Sequence, residues 1–182
     1  VADVVEATKD ELEVLTILPS IVAGDLARTV WQWLQEFPLA NFDDFGPKSV
    51  ADLVIDVQRR IARGERVWVA WRNCAPIGII GYAPVNSYCG MFHGICFAEE
   101  WHNTGVAQAA VGKVIDEIFA TSQQKISASF FRDNERVHSF LHGLGFTFEG
   151  LMTRQTLRGG KPVDMLLLAL FKEDWLCRSA DS

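Results

Sequence analysis

Apolar residues recur along this chain in two rhythms, a helical spacing of three and four and a strand spacing of two, and the switches between them mark its elements. Val14–Leu18 is a short apolar run ended by Pro19 and Ser20, and it predicts a first strand. From Asp25, the positions Leu26, Val30, Trp33, Leu34 and Phe37 share one helical face, which Pro38 closes. Residues 38–48 read as a loop. Ser49 then caps a second helix with Val50, Leu53, Val54, Val57 and Ile61 on one side and Gly64 at its end. The rhythm changes at Val67–Trp71, where Val67, Val69 and Trp71 alternate with Trp68 and Ala70. Asn73–Pro76 supplies a turn, and Ile77–Tyr82 completes a hairpin.

A further strand is predicted from about Tyr88 to Ala98. Asn103-Thr104-Gly105 opens a helix whose core face is Val106, Ala110, Val114, Ile115 and Ile118. Ile126, Ala128 and Phe130 alternate with Ser127 and Ser129 as the next strand, and Asn134 starts a shorter helix that stops near Gly143–Gly145. Phe146–Leu157 and Val163–Phe171 flank Arg158-Gly159-Gly160-Lys161 as a second hairpin. The order is strand, two helices, three strands, helix, strand, helix, two strands. It predicts an α/β (α+β) sandwich, a mixed and mostly antiparallel sheet of about seven strands with helices on both faces.

Length and composition narrow the class. At 182 residues the chain fits one domain, 1–182, with a continuous core. A net charge of -6 gives no broad attraction for phosphate backbones or anionic membrane, so no nucleic-acid partner and no membrane association are expected. Cys74, Cys89, Cys96 and Cys177 form no CxxC pair and no zinc-like spacing, which points to unpaired thiols in a reducing compartment and to no metal site. Residues 1–20, with Asp10, Glu11 and Glu13, lack the basic start and apolar run of a secretion signal, and no segment reaches the roughly 18 apolar residues of a membrane helix. A cytoplasmic location is expected.

Candidate chemistry begins where strand passes directly into helix. A helix N-terminus presents unpaired N–H groups and a partial positive charge, so the small-residue turn His102-Asn103-Thr104-Gly105-Val106-Ala107 can cradle a pyrophosphate. The stretch CFAEEWHNTGVAQAAV, Cys96–Val111, resembles the Arg/Gln-x-x-Gly-x-Gly/Ala motif of the GCN5-related N-acetyltransferase (GNAT) family. NERVHSFLHGLGFTFEG, Asn134–Gly150, is similar to that family's later helix and strand, matching at Asn134, Leu141, Gly145, Phe146, Glu149 and Gly150. The continuation RGGKPVDMLLLALFKEDW, with Gly160, Asp164 and Trp175 in register, resembles the closing hairpin of RimJ/RimL-type ribosomal-protein acetyltransferases. The resemblance covers roughly residues 66–175 and implies acetyl-CoA as co-substrate and a primary amine, of a small molecule or a protein N-terminus, as acceptor.

Residue by residue, the resemblance implies a cofactor site from Cys96, Phe97 and Ala98, whose strand supplies the polarising N–H, then His102, Asn103, Thr104, Gly105, Val106 and Ala107, with Asn134 and Leu141 from the later helix. His102 replaces the usual Arg or Gln and Asn103 the usual glycine, although Asn tolerates a left-handed backbone. Leu141 stands where many relatives carry a tyrosine that protonates the departing thiolate. The block also lacks the Lys or Arg side chains that often surround CoA phosphates. His138 and Ser139 project from other faces of that helix.

Direct transfer needs an amine made neutral beside the thioester, and His93 and Glu99, or Glu100, are the candidate bases. Trp31, Trp33, Phe37, Phe42 and Phe45 fall in the region resembling the acceptor side; Trp33 and Phe37 lie on the apolar stripe and Trp31 off it. Asp43 and Asp44 read as a solvated acidic loop or as a greeting for a cationic amine. Cys96 reads as packing. Two functions compete: an acetyl-CoA-dependent N-acetyltransferase, and a non-catalytic binding or assembly module of the same fold, with Trp31 and Met165–Phe171 at an interface with a second copy or an assembly partner.

Overall fold

The computed structural model describes residues 12–16, 24–36 and 43–180. Within these residues, seven strands form a single sheet: β1 (Leu12–Thr16), β2 (Arg66–Arg72), β3 (Ala75–Pro84), β4 (Cys89–Phe97), β5 (Lys125–Phe131), β6 (Thr147–Arg158) and β7 (Lys161–Phe171). Their spatial order is β1-β2-β3-β4-β5-β7-β6. Every neighbouring pair is antiparallel except β4 and β5. The same residues hold five α-helices: α1 (Asp25–Glu36), α2 (Val50–Ala62), α3 (Val106–Phe119), α4 (Glu135–Gly143) and α5 (Lys172–Ala180). The mixed, mostly antiparallel seven-stranded sheet with helices on both faces is the architecture that the apolar rhythm predicts.

The elements differ from expectation in three places. The first strand lies two residues earlier than Val14–Leu18, and the remainder of that run, like Phe37 and Phe42, lies outside the described residues. A short 3-10 turn, Glu99–Trp101, separates β4 from the glycine turn. The third is α5, which the alternating pattern of β7 hides because Trp175 is its one large apolar residue turned inward. That indole donates to Asp116 Oδ1 at 2.7 Å and lies over Gly112 of α3.

Two cores sit on opposite faces of the sheet. One joins α3 and α4 to Trp68, Ile80, Phe92, Phe97, Ile126, Phe146 and Leu168. Within it α3 buries Ala107, Ala110, Val111, Gly112, Val114, Ile115, Ile118 and Phe119 and leaves Lys113, Asp116 and Glu117 exposed, which is the pattern of a helix with one wide apolar face. The other core is smaller and joins Val30 and Trp33 of α1 and Leu53 and Val57 of α2 to Val67, Val69, Ile79, Cys96 and Ala98. Trp31 packs against this second core as a partly buried residue and is not the exposed tryptophan expected of a position off the stripe.

The parallel pair is where the sheet opens. β4 and β5 are in register only from Cys89↔Lys125 to Phe92↔Ala128, and beyond that point each strand continues toward its own helix. Two strands followed by helices thus part at their C-terminal ends, the place where open α/β sheets form ligand crevices.

Candidate active site

The parted strands bound a cleft of about 780 Å³, a size that takes a ligand larger than a typical metabolite. β4 contributes Phe92–Phe97 to its wall, β5 Ala128–Phe130, α3 Ala107 and Gln108, and α4 Arg136, Ser139 and Leu141. Past Phe92 and Ala128 no ladder joins the strands, so peptide groups on the facing edges point into the cleft.

A bulge in β4 sets which side chains meet the cleft. Between Ile79↔Cys96 and Gly81↔His93, β3 advances two residues and β4 three. Gly94 absorbs the extra residue with a left-handed backbone, φ 63°, conformational freedom that glycine supplies at low cost. The bulge resets the alternation. Phe92 and Phe97 enter the larger core, Cys96 the smaller, and His93 turns toward α2 on the same face as Cys96.

His93 stands one residue past the last parallel pair, at the vertex of the cleft. Its Nε2 lies 2.7 Å from Glu65 Oε2; both atoms are buried and neither makes a hydrogen bond among the described residues, so the contact is one of charge and proximity. Glu65 is brought there by the end of α2: Gly64 turns the chain with φ 90°, and Glu65 N–H donates to the carbonyl of Arg60 at 3.1 Å. Arg60 Nη1 lies 3.5 Å from Glu65, and Arg60 Nε donates to Asp56 at 2.7 Å. Burial chiefly, and then the Arg60 charge, hold the His93 imidazole below its ordinary 6.5, against the opposite pull of Glu65 and Asp56. The ring lies directly on Gly81, where an added Cβ would sit 2.5 Å from both its Cε1 and the His93 carbonyl oxygen.

At the other end of the cleft the turn 102–107 takes the shape its residues suggest. Asn103 and Gly105 have left-handed backbones, φ 59° and 82°. Val106 N–H donates to Thr104 Oγ1 at 3.3 Å, and Gly105 O accepts from Ala109; the start of α3 thereby leaves the N–H groups of Ala107 and Gln108 for a ligand. Gln108 Oε1 is a buried acceptor with no partner among the described residues. The start of α4 opens onto the same cleft, with Asn134 Oδ1 accepting from Val137 N–H at 3.2 Å. Two helix N-termini therefore converge on one anion-sized space.

Sequence reasoning finds no cation here, and the fold supplies one. Arg136 lines the cleft, and its Nη1 donates to His102 Nδ1 at 2.9 Å. Arginine has only donors, so Nδ1 is unprotonated and Nε2–H donates to the carbonyl of Phe97 at 3.0 Å. His102 thus ties the end of β4 to α4 through a neutral ring. Glu135-Arg136 next to Asn134 was the available signal, an arginine in the first turn of a helix that the resemblance already sets beside the cofactor.

Other candidates fall elsewhere. Glu99 and Glu100 are exposed in the 3-10 turn and do not line the cleft. Ala98 N–H donates to Ile77 O at 3.0 Å and so faces β3; Cys96 and Phe97 line the cleft, and Thr104, Gly105 and Val106 form its rim without lining it. Cys96 is a packing residue whose thiol burial pushes up to about 12. Leu141 is buried, Ser139 faces the cleft, contrary to its expected projection, and His138 stacks on His142 and lies tilted beside Phe130. Asp43 and Asp44 stay on the surface but are tied to the β6–β7 hairpin. Asp44 accepts from the N–H groups of Gly160 and Gly159, which hold its carboxyl below the usual range, and Asp43 accepts from Thr156 at 2.7 Å.

Comparison with known proteins fits this geometry. The model of the acetyltransferase (GNAT) family matches residues 27–146, about two thirds of the chain. The chain belongs to the acetyltransferase (GNAT) family. This family uses acetyl-CoA as its acyl donor. Similar solved structures include mutant forms of the spermidine/spermine N-acetyltransferase SpeG from Vibrio cholerae, with TM-score 0.73 and 18% identity over 92% of this chain and 98% of that one. RimL, a ribosomal L7/L12 α-N-protein acetyltransferase in complex with coenzyme A, has TM-score 0.74 and 17% identity over 88% and 93%. The yncA protein from Salmonella typhimurium, solved with acetyl-CoA, has TM-score 0.68 and 16% identity over 88% and 93%. At these identities the structural likeness establishes the GNAT fold. No curated protein sequence matches the chain. Among the described residues no helix is long and apolar enough to cross a membrane.

Proposed function

We propose that the chain is a cytoplasmic, single-domain N-acetyltransferase in which His93 is the general base for direct attack of a primary amine on acetyl-CoA. The observation that carries the assignment is the position of His93, at the vertex of the cleft with one ring nitrogen 2.7 Å from the Glu65 carboxylate. Bound acetyl-CoA supplies the thioester to be cleaved. The free N–H groups of Ala107 and Gln108, the Arg136 charge and the Gln108 carbonyl, which needs a donor such as a pantetheine amide, suit that molecule's pyrophosphate and arm.

The remaining steps belong to the protein. His93 is neutral at pH 7 and takes one proton from the acceptor ammonium, while Glu65 faces the resulting imidazolium. The amine nitrogen then bonds to the carbonyl carbon and the carbon–sulfur bond breaks. The Phe97 N–H, on the edge of β4 that faces away from β3, stabilises charge on the carbonyl oxygen. The attached nitrogen sheds its second proton to water, and the sulfur leaves as thiolate and takes a proton from water, directly or relayed through Ser139, because Leu141 offers no acid.

The base also narrows the acceptor. A histidine held below 6.5 is closer to an α-amino group, at about 7.7–8.0, than to an alkyl ammonium near 10.4, so proton transfer from a protein or peptide N-terminus is the less uphill. We therefore infer an α-amine acceptor ahead of a polyamine. The test is release of CoA thiol from acetyl-CoA with alanyl and seryl peptides and with spermidine, in the native protein and in His93→Gln. Turnover with a peptide that falls about a hundredfold or more in the variant is the expected result. A protein that binds acetyl-CoA but releases no thiol with any of these amines would overturn the catalytic reading in favour of a binding or assembly module.

A further inference from the structure

The chain has four histidines, and the fold sorts them into two pairs. The cleft takes one pair: His102 has both ring nitrogens bonded, and His93 is buried against Glu65. The other pair, His138 and His142, stands exposed on α4 at positions i and i+4, with the rings stacked at 6.4 Å between centres and 26° between planes. No hydrogen bond engages either of these rings among the described residues. We propose that His138 and His142 chelate a divalent transition-metal ion of the Zn²⁺ and Ni²⁺ class, with water in the remaining coordination positions.

Three observations carry it. The first is spacing. Side chains at i and i+4 leave a helix on the same face, one above the other, and imidazole nitrogen is a ligand that suits Zn²⁺ and Ni²⁺. The same spacing of two histidines binds zinc in helices of the His-Glu-x-x-His type. The second is distance. Two imidazoles on one tetrahedral ion, with metal–nitrogen bonds of about 2.0–2.1 Å, have ring centres about 5 Å apart. Closing the observed 6.4 Å to that value takes a small rotation of two exposed side chains. The third is the backbone beneath them, which is already fixed. Asn134 Oδ1 accepts from Val137 N–H at the start of α4, Leu141 is buried on its inner side, and the carbonyl of His142 accepts from Gly145 N–H at 2.9 Å. The ion therefore orders two side chains and no main chain, which keeps the entropic cost of chelation low.

No third His, Cys, Asp or Glu joins the pair among the described residues. The protein thus supplies two ligands, and the site is an exchangeable one at the surface, unlike a closed four-ligand structural zinc site. The expectation of no metal, drawn from the spacing of the cysteines, does not bear on a pair of helix histidines. Neither ring lines the cleft, so the site stands apart from the transfer chemistry and from the assignment of His93.

Ring spectra of the four histidines, recorded by NMR during titration with Zn²⁺ at about pH 7.5, test the site directly. Zn²⁺ should shift the His138 and His142 signals together, with one affinity, and leave those of His93 and His102 in place. Mg²⁺, which takes oxygen ligands, should shift none. In His138→Ala the His142 signal should respond only at about tenfold or more higher Zn²⁺, and in His142→Ala the His138 signal likewise, because a lone ring lacks the effective concentration that its partner provides. Both positions are exposed in a helix and alanine is the best helix former, so the variants keep the fold. The rise in melting temperature that Zn²⁺ produces in the native protein should be smaller in both variants. An unaltered response of the remaining ring in either variant would overturn chelation. So would a Zn²⁺ response confined to the exposed thiols of Cys74 and Cys177, with the His138 and His142 signals unmoved.

Discussion

The two faces of the sheet are built by different means. On the side of α3 and α4, twenty-two buried apolar residues among those described form one cluster, and the cofactor end of the cleft grows out of it: the turn 102–107 and the starts of both helices are ends of elements that the core fixes in place. On the side of α1 and α2 the buried cluster has nine described members, and its contribution to the cleft is a polar line, Asp56, Arg60, Glu65 and His93. The first face offers backbone geometry, which side-chain substitution leaves largely intact. The second acts through side-chain distances, which one substitution removes. Differences of chemistry among chains that share this sheet should therefore concentrate on the α1–α2 face.

The sharpest break of this comparison is in stability. Phe146→Ala removes a fully buried ring from the larger core and should cost about 3–5 kcal/mol, whereas Leu53→Ala in the smaller core should cost about 2–3 kcal/mol because the thinner layer collapses more readily. Urea midpoints at constant m-value measure both. Equal losses would mean that the two faces are equally consolidated and that the division of labour has no energetic basis.

How much of each face was legible follows the same line. The apolar period of α3, the alternation of β2, β3 and β5, and the glycine turn at 102–107 are local patterns, so the order of elements and the shape of that turn could be read directly. The acceptor end could not. The pairing of Glu65 with His93 joins residues on different elements, and the bulge at Gly94 sets His93 and Cys96 three apart on one face, where strict alternation predicts an even spacing. The same limit explains Asp43 and Asp44, whose partners Thr156, Gly159 and Gly160 lie more than a hundred positions away. It also explains Arg136, which reads as one charge in a polar first turn until the fold sets it against His102.

Gly81→Ala tests whether the smaller face works by distance. The added Cβ meets the His93 ring and its carbonyl oxygen at 2.5 Å, and because one of the two is backbone the strain cannot relax by a rotamer change alone. A stability loss of about 1–3 kcal/mol is expected, with kcat reduced and the thermal shift produced by CoA retained. Loss of the CoA shift instead would show that the two ends of the cleft are mechanically joined.

Arg136→Ala probes the opposite end and should be smaller. It removes a cation beside the pyrophosphate turn and the donor that orients His102, so CoA affinity should fall about tenfold by calorimetry, in line with the net worth of a charge-assisted hydrogen bond. The native protein should lose affinity with added salt more steeply than the variant, since only it has that charge to screen. Unchanged affinity would place the whole burden of phosphate binding on the helix N-termini.

The smallest effect is the pH dependence of folding. His93 titrates below 6.5 in the folded protein and at about 6.5 in the unfolded chain, so between those values the unfolded state binds more protons and stability rises with pH. The contribution is fully present above pH 6.5 and is lost as pH falls through the lower folded value. Asp44 and Asp133 are also held below their ordinary 3.8, by the N–H groups of Gly160 and Gly159 and by Arg158. Their contributions disappear only under more acidic conditions, which leaves the window from pH 6.5 to 5 free of them. Unfolding free energies across that window should fall more steeply in the native protein than in His93→Gln. Parallel curves would mean that His93 is as well solvated in the folded protein as in the unfolded chain, and the burial that sets its basicity would have to be abandoned together with the closed polar face around it.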